Sequence, residues 1–122
     1  MFKILFADDE PDITMIVERK LELMGYEVIV KTNGRQALAA LQEVKPDLVI
    51  LDVMMPEMNG WDVCKKIKEN EATKSIPVII LTAKTQDMDE LMSYESGADR
   101  YVSKPIDFSL LINAMEELLP KK

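Results

Sequence analysis

Three aspartates, a threonine and a lysine fall where short apolar runs stop. Asp8 and Asp9 follow Phe2–Ala7, Asp52 follows Leu48–Leu51, Thr82 follows Pro77–Leu81, and Lys104-Pro105 comes just after Tyr101-Val102. Runs of this length read as strands, so each group belongs at a strand's carboxyl end. In an open α/β sheet those ends share one rim, and the rim is where ligands bind. Clustered carboxylates raise one another's pKa unless a cation relieves them. A hard divalent ion such as Mg²⁺, with Mn²⁺ as the alternative, suits carboxylate oxygens, a backbone carbonyl and waters. An aspartate kept ionised by such an ion can attack phosphorus in line and become an acyl phosphate. The cation, the Lys104 ammonium, the Thr82 hydroxyl and N–H groups of the loop after Asp52 could each stabilise one phosphoryl oxygen. Ala83 is small enough to let the group approach. Phosphoryl transfer to Asp52 is the chemistry this pattern supports.

The elements that must hold these groups alternate between strand and helix. Phe2–Ala7 is apolar except for Lys3, as expected of a strand covered on both faces. Pro11 suits a first helical turn, and Ile13, Ile16, Val17, Leu21 and Met24 form a stripe that Gly25 ends. Val28–Val30 is the core of a second strand. Asn33-Gly34 opens a helix with Ala37, Leu38, Leu41 and Val44, which Lys45-Pro46 closes. After the third strand, a helix near Asn59–Asn70 carries Trp61, Cys64 and Ile67. The fourth strand leads to a helix near Thr85–Ser96 that stops at Gly97. Asp107 caps a last helix with Phe108, Leu111, Met115 and Leu118. The order is (βα)5, which predicts a doubly wound, five-stranded parallel sheet in the flavodoxin-like order 2-1-3-4-5. Asp8, Asp9 and Asp52 then lie on adjacent strands, about 4.8 Å apart. Lys104 lies two strands from Asp52, roughly 10 Å by the same spacing, a gap for a long side chain.

The composition fits. At 122 residues the chain predicts one domain over residues 1–122 with its own core. Net charge −7 disfavours direct contact with nucleic acid. Histidine is absent, which excludes imidazole catalysis and histidine ligation. The single cysteine, Cys64, cannot form an internal disulfide, and its place on an apolar stripe makes it core. No apolar run reaches membrane-spanning length, and Met1-Phe2-Lys3 leads straight into the first strand. A cytoplasmic protein is expected, with no membrane contact.

Asp8-Asp9, Asp52 with Met55-Pro56 and Asn59-Gly60, Thr82-Ala83, Gly97-Ala98-Asp99 and Tyr101-x-x-Lys104-Pro105 stand in one order along the chain. This set resembles the receiver domain of two-component response regulators, of the chemotaxis-regulator-like kind, over essentially the whole length. The resemblance implies a signalling domain that catalyses only its own phosphorylation and dephosphorylation. It makes Asp52 the phosphoacceptor, Asp9 a direct Mg²⁺ ligand, Asp8 a ligand acting mostly through water, and the Met54 carbonyl a further ligand. Lys104 pairs with Asp52 and then with the phosphoryl group, Lys104–Pro105 is a cis peptide, and Thr82 and Tyr101 form the switch pair. The phosphodonor is a phosphohistidine on a sensor histidine kinase or histidine phosphotransfer protein. The output is a protein target docking on the face of the fourth helix, fifth strand and last helix.

Other readings fail on named residues. A haloacid dehalogenase-type phosphohydrolase needs an acid two residues after its nucleophile, where this chain has Met54. A flavodoxin-like electron carrier needs a hydroxyl-rich loop after the first strand, where this chain has Asp-Asp-Glu-Pro. Met88 and Met92 could pack inward or form a docking surface. Lys84 could overhang the phosphoryl group or be a solvated surface lysine. Thr85–Ser96 and Phe108–Leu119 contain no Lys or Arg, and Arg100 stands where an acid is common in the family, against receiver pairing through that face. A single-domain regulator and a receiver from a larger regulator or hybrid kinase both fit the sequence.

Overall fold

The computed structural model describes residues 1–82 and 96–120. Its elements are β1 (Lys3–Ala7), α1 (Pro11–Leu23), β2 (Glu27–Lys31), α2 (Gly34–Glu43), β3 (Leu48–Asp52), α3 (Gly60–Glu69), β4 (Val78–Thr82), β5 (Arg100–Ser103) and α4 (Phe108–Leu118). The five strands are parallel in the order β2-β1-β3-β4-β5, the doubly wound order expected from the sequence. The helix expected over Thr85–Ser96, together with Ala83, Lys84, Met88 and Met92, lies outside the described residues apart from Ser96.

Alternation along the strands divides the core into two layers, because successive side chains point to opposite faces. Ile4, Phe6, Leu48, Ile50, Ile79 and Leu81 pack under α1 and α4 with Val17, Leu21, Leu111 and Met115. Leu5, Ala7, Val49, Leu51, Val78 and Ile80 pack under α2 and α3 with Ala37, Leu41, Val63, Cys64 and Ile67. Burying each large side chain of this kind stabilises the fold by about 1.5–3 kcal/mol. β3 and β4 are buried along their full length, so Asp52 and Thr82 stand at the ends of strands covered on both faces.

The helix starts are set chemically. Asn33 accepts from the Gln36 N–H at 2.8 Å and Asn59 from the Asp62 N–H at 2.9 Å, while Asp107 accepts from Ser109 and Leu110. Each satisfies donors that a helix leaves unpaired in its first turn. Gly25, at φ 97°, lets the chain leave α1 and turn into β2. Opposite the site, Lys68 of α3 reaches Asp99 at 2.9 Å and donates to the Ile76 carbonyl at 2.7 Å. Asp99 in turn accepts from the Val78 N–H, so one ion pair ties α3 to the entries of both β4 and β5.

Candidate functional site

The register places the site before any side chain is considered. β1 and β3 are neighbours at the point where the strand order reverses, with Ala7 opposite Leu51, so Asp8 and Asp52 emerge side by side. Asp52 pairs with Leu81 and Thr82 with Ser103, which brings the ends of β4 and β5 to the same rim. Asp8 is fully buried and Asp52 is 3% exposed. Buried carboxylates need partners. Here they share one: Lys104 Nζ lies 2.9 Å from Asp52 Oδ1 and 3.5 Å from Asp8 Oδ2. Burial opposes the ammonium, but the hydrogen bond to Asp52 and the charges of Asp52 and Asp8 outweigh it, so the Lys104 pKa is raised. Lys104 remains a firm cation.

Asp8 is the strained member. Burial pushes its pKa up to about 6, and the Asp52 charge adds to the rise. The Glu10 N–H, donating to Oδ1 at 2.9 Å, and the Lys104 charge offset only part of this. Its other oxygen, Oδ2, is buried and accepts no hydrogen bond. A buried carboxylate oxygen with no hydrogen bond, only an ammonium at 3.5 Å, is costly unless a closer cation takes it up. Oxygens of Asp8, Glu10 and Asp52 all lie within 4.8 Å of one another, and the buried pair Asp8 and Asp52 offers hard oxygen donors of the kind that suits Mg²⁺.

Of the residues expected at this rim, Asp8, Asp52 and Lys104 meet directly. Thr82 is buried at the end of β4 beside them. Asp9 is exposed and stands outside the acidic trio. Tyr101 is half-buried on β5 and packs in the layer under α2 and α3. Lys104–Pro105 is cis. The Met54 side chain is 72% exposed beside the site, whereas Met55 is buried and Met58 half-buried in the core. Glu10 is the residue that sequence reasoning missed. Its carboxylate lies 3.3 Å from Lys104 Nζ. The signal was present in Asp-Asp-Glu-Pro, where an acid directly before a first-turn proline reads as a helix-start residue.

The loop after Asp52 is clamped by two glycines. A Cβ on Gly60 would collide with the Asp52 carbonyl, and a Cβ on Gly34 would collide with the carbonyl of Met58. Only bare backbone lets this loop fold back over β3, which the Gly60 N–H to Val53 carbonyl bond at 3.0 Å secures. Glu57, in the same loop, takes a left-handed conformation with φ 68°.

Residues 4–116 match the response regulator receiver domain. The chain belongs to this family. It is 38% identical over 119 residues to the DNA-binding dual master transcriptional regulator RpaA of Synechocystis, covering 98% of this chain and 49% of RpaA. The chain spans about half or less of the length of the curated relatives it matches. Among solved structures it resembles the Vibrio cholerae chemotaxis protein CheY4 with a TM-score of 0.91 and 32% identity, covering 98% of this chain and 99% of that one. Its TM-score to the Thermotoga maritima response regulator TrrA, solved in complex with Mg²⁺ and BeF, is 0.87 at 36% identity, covering 98% and 100% of the two chains. As a receiver domain it is a signalling module. No helix among its described residues is long and apolar enough to cross a membrane.

Proposed function

We propose that residues 1–122 form one receiver domain in which Asp52 is the phosphoacceptor. The supporting observation is the pairing of Lys104 Nζ with Asp52 at 2.9 Å beside Asp8 Oδ2, which accepts no hydrogen bond. It sets a nucleophile, its counter-charge and an unsatisfied anionic ligand at one mouth. Asp8, Asp9, Asp52 and the Met54 carbonyl are the proposed holders of Mg²⁺, while the exposed Glu10 carboxylate contacts Lys104 beside them. When bound, Mg²⁺ supplies charge neutralisation for the carboxylates and for the phosphoryl oxygens.

The chain's own groups do the rest. Asp52 offers a carboxylate oxygen to phosphorus as the bond to the donor's leaving group breaks. Lys104 then follows the negative charge from Asp52 onto a phosphoryl oxygen. Thr82, at the next strand end, donates its hydroxyl to another. The hydroxyl's movement opens space toward which Tyr101 turns, biasing an existing equilibrium between two forms of the domain. The donor is a phosphohistidine on a sensor kinase or phosphotransfer protein. The output is a protein target docking on the face that β5 and α4 share with the helix the sequence predicts over Thr85–Ser96, with no nucleic-acid contact by this domain.

The test is labelling with acetyl phosphate, with and without Mg²⁺. Asp52→Asn should abolish uptake, and Asp9→Ala should lower metal affinity. Equal labelling of the Asp52→Asn protein would move the acceptor elsewhere.

A further inference from the structure

We propose that Glu10 is a positioning residue for Lys104, holding part of the ammonium's charge at the mouth of the site and withholding it from an incoming phosphoryl group. This rests on the reading of Asp52 as phosphoacceptor. Glu10 is the N-cap residue of α1, where a side chain ordinarily accepts from the first turn's N–H groups, yet it makes no such bond. Pro11 at the first helical position biases Glu10 toward an extended backbone, observed at φ −94° and ψ 108°. Its carboxylate instead contacts a lysine 94 residues away in sequence, at 3.3 Å.

Lys104 Nζ is thereby shared among three acids, at 2.9 Å to Asp52, 3.3 Å to Glu10 and 3.5 Å to Asp8. Asp8 and Asp52 are buried and fixed at strand ends. The Glu10 side chain is 59% exposed, so it can hold the ammonium or let it go. Replacing the Glu10 carboxylate with a neutral amide makes the mouth of the site one charge less negative toward an anionic phosphodonor, whatever Mg²⁺ contributes. Lys104 then has one claimant fewer when the phosphoryl oxygens arrive. Glu10 therefore slows phosphorylation from anionic donors by acting through Lys104.

The experiment measures acyl phosphate formation from acetyl phosphate at saturating Mg²⁺ for the wild-type chain, Glu10→Gln, Lys104→Met and the double variant. Mg²⁺ affinity of each is measured by calorimetry. Glu10→Gln should form the acyl phosphate about two- to fivefold faster, the size of one partly exposed ion pair. Its Mg²⁺ affinity should stay within about threefold of wild type, and its effect should vanish in the Lys104→Met background, as coupled residues require. Acceleration that persists in Lys104→Met would overturn the proposal in favour of direct repulsion of the donor. A large loss of Mg²⁺ affinity with slower labelling would make Glu10 a metal ligand instead, and unchanged kinetics would make the contact idle. A wild-type chain that takes no label overturns the phosphoacceptor reading and this proposal together; the other contrary outcomes overturn this proposal alone.

Discussion

Lys104 Nζ stands 2.9 Å from Asp52 Oδ1, although β4 separates the strands from which the two residues leave the sheet. The lysine side chain spans that strand. It neutralises Asp52 there, and on the proposed reading it stands where negative charge would grow as Asp52 accepts a phosphoryl group.

Replacing Lys104 with Ala separates these two duties. Mg²⁺ affinity should hold or rise, because a competing cation leaves the acidic cluster. Phosphorylation should slow on the order of 10²-fold, as a phosphoryl oxygen loses its counter-charge. Calorimetry and labelling on the same preparation check both arms, and weaker metal binding would mean that Lys104 does not compete at the site.

Asp8 makes the metal-free protein sensitive to pH. A folded-state pKa of about 6, above the ordinary 3.8, means the folded chain binds this proton more readily than the unfolded chain between those values. The group therefore costs stability above pH 6, and the cost disappears as pH falls toward 4. Asp8→Asn keeps the acceptor for the Glu10 N–H and removes the charge. In the absence of Mg²⁺ it should be more stable than wild type at pH 7.5, by on the order of 1–3 kcal/mol, with little difference near pH 4. Denaturant melts at the two pH values check this.

Gly60→Ala should be strongly destabilising, because its Cβ meets the Asp52 carbonyl within the sheet. A loss of about 2–4 kcal/mol is expected, with slower labelling of whatever remains folded, since the Asp52 backbone must shift. Thermal melts beside a labelling assay measure both effects.

Glu57→Gly should act in the opposite direction. The left-handed backbone at φ 68° costs a side-chain-bearing residue, while the ion pair to Arg35, at 3.8 Å and largely exposed, contributes little. A gain of up to about 1 kcal/mol is expected, read as a higher denaturation midpoint.

Much of this was legible in the sequence, and the reasons are local. The run Phe2–Ala7, apolar except for Lys3, reads as a strand covered on both faces, and Asn33, Asn59 and Asp107 mark helix starts through their own hydrogen bonds. Five βα units in so short a chain suggest the doubly wound order, and that order sets Asp8 and Asp52 on adjacent strands. What stayed hidden depends on side chains meeting across long separations. Glu10 beside Pro11 looks like an ordinary helix-start acid until Lys104 is seen 3.3 Å away. The Lys68–Asp99 tie joins residues whose periodicity says nothing of each other. Glu57 carries no residue-type signal for φ 68°, a position where glycine would be expected.

The central claim is that Asp52 carries the phosphoryl group. The most direct measurement treats the Mg²⁺-loaded chain with acetyl phosphate, traps the product with borohydride, which reduces an aspartyl phosphate to homoserine, and maps the altered residue by peptide mass spectrometry. The account predicts homoserine at position 52 alone, and none when Mg²⁺ is withheld. Homoserine at Asp8 or Asp9, or a phosphate that survives borohydride on a serine, threonine or tyrosine, would contradict it.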